Sequence, residues 1–253
     1  KANVAKQEIT TREFCHSLIN SFEGRDLVDA ATEYAMHIPV RVIADMLGFP
    51  TEDTDKFKHF VENALEGINK TPEEREAGTA ELFEYLLAQV RDHIDNPRDD
   101  LTTYLVNAEL YGQKLAPNHV VGTMALLLIA GIDTTWSAIG ASLWHLAKNP
   151  EDRRRLVEEP ALRTTAVEEF LRAYAPVTMA RLVKEDVELG GVEMKKEDWV
   201  LLPFPAANRD PERFERADEV VIDREVNRHA AFGLGIHRCV GSHLARMELT
   251  VAL

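Results

Sequence analysis

Apolar residues recur at three- and four-residue spacing along much of the chain, the period of helices that bury one face. Residues 10–22 form one such stretch. Residues 27–47 form another, through Ala31, Tyr34, Ala35, Ile38, Val42, Ile43 and Met46; Pro39 kinks or restarts it and Gly48-Phe49-Pro50 stops it. A cap at Thr51 or Thr54 opens a helix through Phe57, Phe60, Val61 and Leu65. Thr71-Pro72-Glu73-Glu74 is a strong helix start, with a hydroxyl cap, proline in the first turn and carboxylates at the positive dipole end. That helix runs to Asn96-Pro97, and a shorter one is predicted over 100–110. The stretch over about 118–149 is apolar almost all round, which predicts a central rod buried on every face. Helices follow over 151–158 and about 161–174. Strand character is confined to a small β-region at about 181–202, where Gly190-Gly191 signals a hairpin turn. The last element is a glycine-rich loop entering a helix, residues 232–253. The chain reads as one mainly α domain, without repeats or a linker.

Composition narrows the function. The 253 residues are 45% hydrophobic, enough for a real core, and the net charge of -14 argues against a nucleic-acid surface. Two cysteines, Cys15 and Cys239, make no disulfide framework and fit a reducing cytoplasmic setting. Lys1 to Thr11 is too polar for a secretory signal, and the apolar run from Val120 to Ile132 reads as too short for a membrane span. The chain opens on Lys1 and ends at Thr250-Val251-Ala252-Leu253 with a helix still running, so it reads as a stretch of a longer protein.

Three places carry chemistry. Ala130-Gly131-Ile132-Asp133-Thr134-Thr135 puts an acid and two hydroxyls inside an apolar helix, where they cost free energy unless paired or facing water. Thr134 can bond back to the Ala130 carbonyl and open a notch, which is either a satisfied polar kink or a proton-delivery groove. Glu169 and Arg172, three apart on one helix face, read alone as a surface ion pair of about 0.2–0.5 kcal/mol. Cys239 follows Gly233 and Gly235, with Gly241 just after it, at or just before a helix N-terminus; there the dipole favours a thiolate, either nucleophile or metal ligand. A zinc site through His237, Cys239 and His243 lacks a fourth ligand, and a redox thiol lacks a nearby partner.

Taken in order, these signals resemble the cytochrome P450 haem-thiolate monooxygenases of the soluble bacterial type. Phe232-Gly233-Leu234-Gly235-Ile236-His237-Arg238-Cys239-Val240-Gly241 is similar to the family's haem-binding signature, Ala130 to Thr135 to its oxygen-activation motif, and Glu169-Phe170-Leu171-Arg172 to its Glu-x-x-Arg pair. Ala207-Asn208-Arg209-Asp210-Pro211 and Ile222-Asp223-Arg224 fall between them in the family's order. The resemblance implies the cytochrome P450 fold, an orthogonal helix bundle around a long central helix with a small β-region. It also implies that a family N-terminal region and the final strands lie outside this sequence.

What the resemblance implies can be placed on residues. Cys239 would be the axial thiolate of haem b, iron protoporphyrin IX, with the N–H groups near Val240 and Gly241 tuning the sulfur. Ala130, Gly131, Phe232, Gly233 and Gly241 would lie against the cofactor, and Arg181 and His237 would meet its propionates. Glu169, Arg172 and Arg224 would form a buried network bracing the loop. Asp133 and Thr134 would relay protons to dioxygen. Leu126, Ile129, Ala130, Val177 and Met179 would face a hydrophobic organic substrate. Electrons would come from NAD(P)H through a ferredoxin or flavodoxin-type donor, separate or fused, steered by a basic face of Arg228, Arg238, Arg246, His237 and His243. The alternatives are a non-catalytic haem-thiolate sensor and a haem-thiolate isomerase or reductase.

Overall fold

The computed structural model describes residues 2–65 and 70–253. The chain packs as two compact units, residues 1–140 with Ala252 and residues 141–251 with Leu253.

In the first unit, α1 (Ala2–Asn20) is followed by a π-helical turn (Ala31–Ala35) and α2 (His37–Leu47). Pro39 restarts the helix: it stands in the first turn of α2, where its missing N–H leaves no bond unmade. Gly48 ends α2 in the left-handed region, at φ 69. Next come α3 (Thr54–Leu65) and α4 (Pro72–Asp95). At the start of α4, Thr71 and Glu74 form a reciprocal capping box, each side chain accepting from the other's backbone N–H. Phe57, Phe60 and Tyr85 pack ring against ring between α3 and α4. The helix predicted over 100–110 is shorter: α5 (Leu101–Asn107) is capped by Asp100 and gives way to a hairpin of β1 (Glu109–Leu110) and β2 (Gln113–Lys114). Its turn residues Tyr111 and Gly112 both have positive φ, as a tight two-residue hairpin requires.

The rod predicted over 118–149 is α6 (Pro117–Lys148), which runs on into the second unit. It is buried along one stripe, not on every face. Met124, Leu128, Ile132, Thr135 and Ile139 are buried, whereas Gly122 and Ala130 are exposed and Leu126 is 67% exposed. Uniform apolarity could not identify the covered face. Counted over the whole helix instead of over Val120 to Ile132, α6 is also long and apolar enough to cross a membrane. Core helices share that property, and the buried polar side chains of Thr135 and Ser142 fit a helix packed against protein. Gly131 lies against α2: a Cβ there would stand 2.6 Å from Ile43 Cδ1.

The second unit holds α7 (Pro150–Glu158), α8 (Arg163–Ala173), two antiparallel pairs and α10 (Ser242–Ala252). β3 (Thr178–Leu182) pairs with β6 (Trp199–Pro203), so strand begins a little before the position read from sequence. β4 (Val187–Leu189) pairs with β5 (Val192–Met194) across Gly190-Gly191, whose φ values of 61 and 79 suit that turn. A short helix, α9 (Phe204–Ala207), follows β6. Leu146, Leu156, Ala166, Phe170 and Ile222 form a core that ties the end of α6 to α7, α8 and the loop after α9.

The Gly131 contact is testable. Alanine improves helix propensity by up to about 1 kcal/mol, but overpacking a buried contact costs about 1–3 kcal/mol. Gly131→Ala should therefore lower the thermal midpoint, and Ile43→Val, which removes the obstructing Cδ1, should restore it. A Gly131→Ala protein that melts higher than wild type would show that the two helices do not meet as described.

Candidate functional site

Side chains of α8 hold the loop that carries Cys239. Glu169 and Arg172, one turn apart, are both fully buried and joined by paired 2.8 Å hydrogen bonds, Arg172 Nε to Glu169 Oε2 and Nη2 to Oε1. They are not the surface pair that their spacing alone suggests. Every guanidinium N–H of Arg172 has an acceptor, since Nη1 also donates to the Asn208 and Ala217 carbonyls and Nη2 to that of Glu219. Glu169 accepts in addition from Arg224 Nε at 2.9 Å, Asn227 Nδ2 at 3.0 Å and the Val221 backbone N–H at 2.7 Å. Burial alone would raise the Glu169 carboxyl, but these donors hold it below the ordinary range. Removing one member would leave a buried charge unpaired, at about 3–5 kcal/mol. Glu169, Arg172 and Arg224, linked in the sequence only by order, are thus in direct contact.

Asn208, Asn227 and three backbone carbonyls complete this network and were not legible in the sequence. Asn208 also accepts the Ala230 N–H at 2.7 Å, carrying the brace to the start of the cysteine loop.

A second cluster was also missed. Glu168 accepts from Arg246 of α10 at 2.5 and 2.8 Å and from His229 at 3.0 Å. Arg246, read from sequence as part of a basic face, therefore has its charge paired, while Arg228, Arg238, His237 and His243 remain exposed. The adjacent pair Glu168-Glu169 was the only local hint.

In the loop itself, Gly233 and Gly235 take φ values of 67 and 68, which side-chain-bearing residues rarely adopt. Cys239 donates its backbone N–H to Phe232 O at 2.8 Å, closing the loop. The Cys239 thiol is free and exposed, just ahead of the Gly241 cap of α10, and Leu234, Ile236 and Val240 around it are also exposed. A Cβ on Gly241 would stand 3.7 Å from the sulfur. Among the described residues no group of three or more His, Cys, Asp and Glu could hold a metal ion. A metal at Cys239 must then bring its other ligands with it, as a porphyrin-bound iron does. One soft sulfur set among apolar side chains fits such a group.

The other expected residues are placed as follows. Thr134 Oγ1 donates to Ala130 O at 2.8 Å, the back-bond anticipated from sequence. Burial pushes the Asp133 carboxyl up, opposed by a hydrogen bond from Trp136. Leu126 and Ala130 lie on the exposed stripe of α6, with Ile129 half-buried beside them; Val177 is half-buried just before β3 and Met179 is exposed on it. Arg181, also on β3, is exposed and donates to the Ala180 carbonyl, and His237 is exposed in a 3₁₀ turn (Gly235–His237). Asp133 and Thr134 belong to the first unit and Cys239 to the second.

Comparison with known proteins places the chain among relatives of one family. The family profile described as Cytochrome P450 matches residues 24–253. The polyketide biosynthesis cytochrome P450 PksS of Bacillus subtilis (strain 168) is 32% identical over 242 residues, covering 95% of this chain and 60% of its own length. Its solved structure superposes with a TM-score of 0.94 at 31% identity, over 98% of this chain and 65% of that one. The vitamin D(3) 25-hydroxylase of Pseudonocardia autotrophica is 37% identical over 229 residues, 89% of this chain and 56% of its own. The mycinamicin IV hydroxylase/epoxidase of Micromonospora griseorubida is 34% identical over 247 residues, 96% of this chain and 62% of its own. The chain thus spans about 60% of the length of these relatives.

The second cluster predicts an acid response. Burial raises the Glu168 carboxyl, but the bonds from Arg246 and His229 outweigh it and bring it from 4.5 to about 2. The folded state then binds fewer protons than the unfolded state between those values. Its stabilisation is complete above pH 4.5 and is lost as pH falls to about 2. Denaturant midpoints followed by tryptophan fluorescence should fall less steeply across this window in Glu168→Gln than in wild type; parallel curves would contradict the pairing.

Proposed function

This chain belongs to the cytochrome P450 family, and on that premise we propose that the whole protein is a haem-thiolate monooxygenase. Its substrate is a hydrophobic organic molecule that receives one atom of dioxygen. Electrons come from NAD(P)H through a ferredoxin or flavodoxin-type donor, and the protein works in the cytoplasm. The observation that carries this reading is the free, exposed Cys239 in a glycine-hinged loop that closes on Phe232.

Haem, when bound, would supply an iron centre at which a thiolate ligand favours O–O cleavage. The chain's own residues do the rest. Cys239 provides the sulfur, and N–H groups at Val240 and Gly241 moderate its charge. Phe232, Gly233 and Gly241, with Ala130 and Gly131, would be the residues that lie against the ring, and Arg181 and His237 would pair with its carboxylates. The Asp133 carboxyl, whose pKa burial pushes up against a hydrogen bond from Trp136, would take protons from water and pass them on beside Thr134. Thr134, donating to Ala130 O, keeps its lone pairs free to accept.

The exposed apolar residues Leu126 and Ala130, with Ile129, Val177 and Met179, offer shape without charge, which supports an apolar substrate. The printed names of the relatives, which include a mycinamicin IV hydroxylase/epoxidase and a vitamin D(3) hydroxylase, support the same class. Exposed Arg228 and Arg238 remain available to an acidic donor.

Two experiments test the reading on the intact protein. Its reduced carbon-monoxide complex should show the red-shifted Soret band of thiolate ligation, and Cys239→Ser should abolish it; a colourless protein, or a band that survives the substitution, refutes the assignment. Thr134→Ala should divert electrons to hydrogen peroxide, so that product per NAD(P)H falls while NAD(P)H oxidation continues. Unchanged coupling would remove Thr134 from proton delivery.

A further inference from the structure

The network around Arg172 accounts for the segment between Asn208 and Asn227 but touches neither side of the cysteine loop beyond Ala230. Arg246 does. From the second turn of α10, its guanidinium reaches three places at once. Nε and Nη2 are clamped by both oxygens of Glu168. Nη1 donates to Ser242 O at 3.2 Å, at the first residue of α10. The guanidinium carbon sits 4.5 Å from the centre of the Phe232 ring, within cation–π range.

Phe232 and Ser242 flank Cys239 on its two sides, and both also bond its backbone: Phe232 O accepts the Cys239 N–H, and the Ser242 N–H lies 3.4 Å from Cys239 O. One side chain therefore contacts both residues to which the cysteine's peptide groups are tied. His229 completes the clamp. Its Nδ1 accepts the Ala231 N–H at 3.2 Å, so Nε2 carries the proton donated to Glu168, and its ring lies 6.0 Å from that of Phe232. The His229 side chain is almost fully buried, and Glu168 and Arg246 are about one-quarter exposed.

We propose that Arg246, clamped by Glu168, which His229 holds in turn, is a positioning residue that fixes the Cys239 sulfur through Phe232 and Ser242. This rests on the haem-thiolate reading. Its role is distinct from that of the Glu169–Arg172–Arg224 network, which holds the preceding segment of chain. Partners one step removed from a metal ligand commonly change its hold by tenfold or more when altered.

The test uses the intact holoprotein. The reduced carbon-monoxide complex is formed, and decay of its red-shifted band to the blue-shifted form is timed at a temperature where far-ultraviolet circular dichroism shows the helices intact. Arg246→Met should speed that decay by about ten- to a hundredfold and shift the haem reduction potential. Arg246→Lys retains the charge opposite Glu168 but not the plane over Phe232. It should remain folded by circular dichroism at the assay temperature yet decay faster, which keeps the inference testable if Arg246→Met does not fold. Decay at the wild-type rate in both variants, or decay only in step with loss of helicity, overturns the inference. A wild-type protein lacking the red-shifted band would overturn the haem-thiolate reading and this inference with it; a normal wild-type band with unmoved variants overturns this inference alone.

Discussion

A buried carboxylate surrounded by donors is the constraint on which the second unit depends. Glu169 and Arg172 are both fully buried, and an isolated charge there would be ruinous. It is tolerated because the two share paired hydrogen bonds and because each remaining donor or acceptor finds a partner, backbone or side chain, in the segment after α9. The requirement works in both directions. The ion pair needs those carbonyls and that N–H for its own desolvation to be offset, so a stretch with little regular secondary structure, residues 208–227, is obliged to follow one path. That stretch can then be short on hydrophobic core and still hold its shape.

α6 works by a different principle. Its buried stripe is ordinary packing, and Gly131 lets α2 approach where any side chain would collide with Ile43. The Thr134 back-bond uses a hydroxyl where an aliphatic residue would leave the helix undisturbed. The result is a helix packed on one stripe and open on the other, with its hydroxyl and carboxyl residues part-way between.

Local features were the ones legible in sequence. The Thr71 capping box, the Gly190-Gly191 turn and the Thr134 bond to Ala130 each involve residues within four positions, so spacing alone determines them. The Glu169–Arg172 spacing was equally plain, but its burial was not, because a helix face does not announce what covers it. The Gly131–Ile43 contact and the Glu168 cluster join residues far apart in the chain, and no periodicity encodes such meetings. The same limit explains α6, whose even apolarity predicted burial all round although one stripe is open.

Neighbouring residues on an α-helix point about 100° apart, and α8 exploits this by placing two acids side by side. Glu169 reaches toward residues 221–227, and Glu168 toward His229 and Arg246. Gaining or losing a single residue within α8 would rotate both acids away from their partners in one step. The helix from Arg163 to Ala173 is therefore a segment whose length the two clusters fix together.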